Sequence, residues 1–116
     1  MCGITGFFDF SAATSEAILL ETASRMSSAI AHRGPDDEGH WADASAGVAL
    51  GFRRLSIIDL SPTGHQPMCS ESGRFVIIFN GEIYNYPELR AELIRDFGIR
   101  PRGTSDTEVM LHGFDH

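Results

Sequence analysis

Lysine is absent from this sequence. All nine basic residues are arginines, set against 16 aspartates and glutamates, and the net charge is −7. With no basic stripe, the electrostatic footprint that nucleic-acid binding requires is missing, and no nucleic-acid partner is expected. The acidic balance favours solubility and carries little information about fold. Cysteine is almost as scarce, with only Cys2 and Cys69. Two thiols are too few for a secreted disulfide scaffold, and nothing resembles paired zinc-binding knuckles. No apolar run approaches the roughly 20 residues of a membrane span. The opening MCGITGFFDF carries Asp9 where a signal peptide would carry positive charge. A reducing, cytoplasmic setting without a membrane partner is the expectation. No internal repeat or low-complexity stretch occurs.

What is present reads as one globular domain. Hydrophobic residues make up 42% of 116 positions, too many for a disordered tail. GITGFFDF is apolar and β-prone and is expected to form a strand. Residues 15–32 place Leu19, Ala23, Met26 and Ile30 at helical spacing. RGPDDEGH has loop composition. WADASAGVALGFRRLSII predicts two short strands about a small-residue turn, and DLSPTGHQPMCSESG a long turn-rich connection. RFVIIF is a near-continuous apolar run, expected to be a strand buried on both faces. NGEIYNY then turns the chain. Asn85, Pro87 and Glu88 mark a helix start, with Leu89, Leu93, Ile94 and Phe97 as its core face. GIRPRGT is a loop. SDTE has the capping-box pattern, with Ser105 as N-cap and Glu108 reaching back. This order predicts a layered α/β or α+β sandwich. The final LHGFDH lies part-way through the last helix with no stop signal, so a piece of a longer chain is expected.

The chemistry begins at Cys2. If Met1 is removed, one residue carries both a thiol and a free α-amine. An α-amine titrates at about 7.7–8.0, so it can take the thiol proton directly or through one water. That is an activated nucleophile with its base built in, suited to attack on a carbonyl and thioester formation. With Met1 attached the amine is blocked, and the form that has lost it is the expected active species. A tetrahedral intermediate needs donors aimed at its oxyanion. The Asn80 side-chain amide and the Gly81 N–H can supply them, although Asn-Gly between apolar runs is also a common hairpin turn; a tight turn and a donor platform are compatible. Arg53 and Arg54 are neighbours on a strand and point to opposite faces, so one can grip a carboxylate while the other meets water. Asp106, in the first turn of the last helix, suits either the helix dipole or a substrate ammonium, and Glu82 admits the same pair of roles. Nucleophile, carboxylate clamp, oxyanion donors and ammonium clamp together fit a free amino acid with a reactive side-chain carbonyl, such as glutamine.

CGITGFF, HRGPDDEG, RRLSIID, GHQPM, FNGEIYNYPELRAEL and SDTEV occur in that order between Cys2 and about Leu111. Together they resemble the glutaminase domain of glutamine-hydrolysing asparagine synthetases, class II glutamine amidotransferases of the N-terminal-nucleophile (Ntn) hydrolase superfamily. The resemblance implies an α+β fold, the Ntn αββα sandwich of two mainly antiparallel sheets flanked by helices, incomplete in this chain. It implies that residues 1–116 are the N-terminal part of that domain and that the synthetase domain is absent. It assigns Cys2 as nucleophile and Asn80 and Gly81 as the oxyanion hole. It assigns Arg54, Leu55, Ser56, Ile57, Ile58, Glu82 and Asp106 to the L-glutamine pocket, selecting Arg54 over Arg53. In such enzymes ammonia passes through a tunnel to the synthetase domain, where ATP and magnesium activate aspartate; the glutaminase domain itself is expected to need no cofactor and no metal. Phe52 stands where the family often has histidine, in GFRRLSI. No SGGxDS pyrophosphatase loop appears, so asparagine synthesis by this chain alone is not expected, and one sheet is expected to keep an unpaired edge.

The same residues admit other readings. His32 could form a dyad with Cys2, though an α-amine makes it unnecessary. DDEGH at 36–40 lacks calcium-loop spacing and reads as a solvated acidic turn. Cys69 reads as incidental, and Tyr84 and Tyr86 as packing at a sheet–helix junction. Competing functions are an amidotransferase for surface polysaccharide or another metabolite, a catalytically silent assembly module, and a cysteine hydrolase of peptides. The sequence leaves the oligomeric state open, a homodimer included.

Overall fold

A computed structural model describes residues 2–56 and 61–116. The opening alternation forms β1 (Gly3–Phe8), whose Phe7 faces the core while Ile4 and Phe8 face away. β2 (Asp37–Asp43) and β3 (Val48–Arg54) flank the turn predicted from its small residues. β3 is central and antiparallel to both neighbours, in the order β1-β3-β2. Its register runs from Gly3↔Arg53 to Phe8↔Val48 on one side and from Asp37↔Arg54 to Asp43↔Val48 on the other.

α1 (Glu16–Ala29) covers one face of this sheet, with Ser15 capping its N-terminus through the Ile18 N–H. Leu19, Ala23 and Ala49 are fully buried there, with Phe7, Ala42 and Ala44 packed around them. The buried stripe continues to Ser27, while Met26 and Ile30 are half-buried beside it. A second antiparallel pair, β4 (Met68–Cys69) and β5 (Val76–Ile77), follows. α2 (Tyr86–Phe97) and α3 (Asp106–Asp115) follow, so the described residues form an α+β fold with antiparallel sheets and three α-helices. Among the described residues no helix is long and apolar enough to cross a membrane.

Several expectations need correction. RGPDDEGH is a loop only as far as Asp36. Its acidic end joins β2 because Glu38 sits opposite Arg53 and pairs with it at 2.5 Å, the kind of cross-strand charge pair that lets polar residues occupy a strand. RFVIIF is regular only at Val76 and Ile77 and is half-buried, not buried on both faces. Its ladder stops because the Phe79 N–H donates to the Gln66 side chain at 2.6 Å instead of to a strand. The stripe on α2 exists, but no residue of that helix is buried: Ile94 and Phe97 are 39% and 54% exposed. Asn85 does cap α2, without a side-chain bond. The SDTE box is half made. Ser105 accepts from the Glu108 N–H at 3.1 Å, whereas the Glu108 carboxylate takes the N–H groups of Arg102 and Gly103. Tyr86 is half-buried, but Tyr84 is 91% exposed and does not pack at a junction.

Candidate active site

Cys2 enters β1 and Arg54 ends β3 at the same end of the sheet, because Gly3 pairs with Arg53 across the ladder. The Cys2 sulfur lies against the backbone of Leu55, accepting its N–H at 3.3 Å and donating to its carbonyl at 3.5 Å. The Arg33 Nε donates to the Cys2 carbonyl at 3.2 Å. These contacts fix Cys2 at both sulfur and backbone, and His32 is not among its hydrogen-bond partners.

The two strand arginines do diverge. Arg53 turns to Gly34 and Glu38, with its Nε donating to the Gly34 carbonyl at 3.0 Å. Arg54 turns inward and is 7% exposed, with Nη1 donating to the Ser61 carbonyl at 2.6 Å. Gly64 is the reason the guanidinium fits: a Cβ there would lie 2.3 Å from Nη2. Among the described residues Arg54 has no carboxylate partner. Arg54 lines a cavity, and a guanidinium there offers a planar donor fork that matches a carboxylate.

Cys2, Arg54 and Leu55 form one side of a cavity of about 360 Å³. Asn80, Gly81 and Glu82 line it from the segment after β5, and Asp106 from the start of α3. Asn80 is half-buried where it lines the cavity. Asp106 is 6% exposed, and its Oδ2 accepts the Ile83 N–H at 2.9 Å. Glu82 is exposed at the rim. Ser56 does not line the cavity; its N–H donates to Asp36 at 2.9 Å. Ile57 and Ile58, like Met1, lie outside the described residues.

Sequence reasoning missed several lining residues. Phe52 and Phe79 form apolar wall, Tyr84 stands at the mouth, and Gln66 and Thr107 contribute buried polar surface. Gln66 lay within a motif already singled out, GHQPM, but no spacing rule points from it to Phe79 or Thr107. The acidic turn has structural work: Asp36 holds Ser56, Asp37 pairs with His65 at 2.6 Å, and Glu38 pairs with Arg53. Among the described residues no group of three or more His, Cys, Asp or Glu could hold a metal ion. The arrangement can seat a small molecule with a carboxylate at Arg54, an ammonium at Asp106 and a carbonyl between Cys2 and Asn80. The cavity volume falls in the range of small-ligand sites.

Comparison with known proteins identifies the family. The family profile described as glutamine amidotransferase domain matches residues 1–116. The Bacillus subtilis (strain 168) protein named asparagine synthetase [glutamine-hydrolyzing] 2 is 43% identical over 115 residues, covering 99% of this chain and 15% of that protein. Its namesake 1 from the same organism is 46% identical over 116 residues, covering 100% of this chain and 18% of that protein. Amidase chry2 of Gibberella zeae is 38% identical over 126 residues, again covering 100% of this chain and 18% of that protein. The chain thus spans less than a fifth of the length of these relatives.

Proposed function

Because the chain belongs to the glutamine amidotransferase domain family, we propose that it hydrolyses L-glutamine to glutamate and ammonia through Cys2. Removal of Met1 is part of the proposal, since it frees the α-amine. That amine takes the thiol proton, and the thiolate adds to the side-chain amide carbon. The oxyanion is met by the Asn80 amide and the Gly81 N–H. The carbon–nitrogen bond then breaks, ammonia leaves with the proton returned by the amine, and a γ-glutamyl thioester remains on the sulfur. Water hydrolyses the thioester, giving glutamate and the free thiol. Arg54 binds the α-carboxylate, Asp106 and Glu82 the α-ammonium, and Leu55 to Ile58 the rest of the substrate.

The observation that supports this reading is the convergence of Cys2, Arg54, Asn80, Gly81 and Asp106 on one cavity. The fold in this proposal is the Ntn αββα sandwich, with residues 1–116 contributing the N-terminal part of the glutaminase domain. The ammonia then serves ATP- and magnesium-dependent asparagine synthesis from aspartate in a synthetase domain outside this sequence. The relative named amidase chry2 favours a second reading on one point only. The same glutaminase front end would feed ammonia to another acceptor.

Intact mass spectrometry tests the first step: loss of Met1, and a single adduct at Cys2 from a glutamine-mimicking chloroketone but not from a peptide electrophile. Cys2→Ala is expected to lower glutamate release by roughly 10³-fold or more. Turnover that survives Cys2→Ala would sink the mechanism.

A further inference from the structure

Gln66 is 5% exposed and lines the cavity, yet the proposed chemistry gives it no part. Its side-chain oxygen accepts the Phe79 N–H at 2.6 Å, and its side-chain nitrogen donates to Thr107 Oγ1 at 3.2 Å. Phe79 immediately precedes Asn80, and Thr107 immediately follows Asp106. We propose that Gln66 is a positioning residue that sets the oxyanion donors and the ammonium clamp relative to each other. This inference rests on the glutaminase reading above for its kinetic consequences.

The contacts close a ring. Residues 79–83 cross the cavity wall without a strand ladder and are gripped at each end. Gln66 holds the Phe79 N–H, and Asp106 holds the Ile83 N–H at 2.9 Å. Gln66 joins those two grips through Thr107. A neutral amide suits the position because it offers an acceptor and a donor at once. A carboxylate offers only acceptors, and a hydroxyl cannot span both partners. The loop that carries Gln66 is itself pressed onto the sheet. A Cβ on Gly39 would lie 1.9 Å from the Gln66 carbonyl oxygen, so only glycine in β2 admits that approach. Two residues earlier the same loop leaves room for the Arg54 guanidinium at Gly64. Gln66 therefore links the Arg54 side of the cavity to the Asn80 side and the Asp106 side.

A buried amide that merely satisfied a backbone N–H would affect stability alone. A positioning amide separates the kinetic constants. In the full chain, Thr107→Val removes the link to the ammonium side and is expected to raise the glutamine KM about fivefold with little change in kcat. Thr107→Ser keeps the hydroxyl and should restore KM to within about twofold. Gln66→Leu removes both links and should raise KM similarly while lowering kcat about tenfold. The double variant should show a KM no higher than Gln66→Leu, because the shared bond is lost only once. Parallel loss of both constants in Thr107→Val, or additive effects in the double variant, overturns the proposal.

Amide hydrogen exchange reads the same ring without turnover. Gln66→Leu should speed exchange at Phe79 and Ile83, and Thr107→Val at Ile83 but not Phe79. Unchanged exchange at Ile83 in both variants overturns the coupling even if wild-type protein releases glutamate. If wild-type protein releases none, but the exchange pattern holds, the coupling stands and the glutaminase reading falls.

Discussion

The two halves of the chain hold their share of the cavity by different means. Residues 2–54 present Cys2 and Arg54 on a continuous three-stranded ladder, over a core of Leu19, Ala23 and Ala49 that water does not reach. Residues 61–116 present Asn80, Gly81, Glu82 and Asp106 from a loop and a helix start. Their regular sheet is two residues per strand, and α2 has no buried residue. Burial there is shared between four apolar residues, Met68, Ile99, Val109 and Leu111, and a larger polar set, Gln66, Ser70, Ser105, Asp106, Thr107, Glu108 and His112. Apolar burial is non-directional and tolerates small shifts. A hydrogen-bonded polar network is directional, and losing one partner leaves others unsatisfied. The proposed nucleophile and carboxylate clamp thus stand on the part with the ladder and the apolar core, and the proposed oxyanion donors and ammonium clamp on the part held more by directional polar contacts.

The largest expected effect breaks the first half. Leu19→Ala opens a cavity beneath β3 and should cost about 3 kcal/mol, read from chemical denaturation. Hydrogen exchange should quicken across β1, β2 and β3 first. Next in size is Glu108→Ala in the second half. Glu108 is 2% exposed, and its carboxylate accepts the Arg102 and Gly103 N–H groups at 2.5 and 2.9 Å. Removing it leaves those donors without their acceptor and should cost about 2 kcal/mol. Its exchange signature should be confined to residues 98–116. Equal loss of protection over the whole chain in both variants would mean that the halves unfold as one unit, and the contrast drawn above would fail.

The same division explains how much the sequence disclosed. α1 was legible because Leu19 and Ala23 repeat at helical spacing behind a Ser15 cap. The β2–β3 hairpin was legible from its small-residue turn, and Arg54 from strand alternation together with the RRLSIID resemblance. β5 was misread because its run of apolar residues says nothing about where its N–H groups go; Gln66, 13 positions earlier, takes one of them. The apolar stripe on α2 is periodic but is not the core face expected of it, because periodicity reports a face and not what covers it. Tyr84 looked like a packing residue by type and stands instead at the cavity mouth. Local signals locate elements and motif residues. Links such as Gln66 to Thr107, 41 positions apart, are set by tertiary geometry that no short window contains.

The smallest predicted effect sharpens the comparison at a connection inside the first half, where polar contacts do the holding. Asp9 joins β1 to α1, and its carboxylate accepts from the Ser11 hydroxyl at 2.6 Å and the Thr14 hydroxyl at 2.7 Å. The N–H groups of Ser11, Ala13 and Thr14 also donate to it. The two hydroxyl bonds, foremost that from Ser11, hold its carboxyl well below the usual carboxylate range. In the unfolded chain those bonds are gone and the carboxyl titrates near pH 4. The folded state therefore binds the proton less readily, so the stabilisation is complete above about pH 5 and drains away as pH falls below about 4. Wild-type protein should lose denaturant resistance across that window, with exchange rising first at residues 9–15. Asp9→Asn should be slightly less stable than wild type at neutral pH and should show a shallower fall on acidification. Asp115, held low chiefly by the Ser72 hydroxyl, should keep the corresponding acid response at residues 70–77 in that variant. An acid response at residues 9–15 that is the same in Asp9→Asn as in wild type would show that the turn is held by its backbone, as the strands are, and not by this carboxylate.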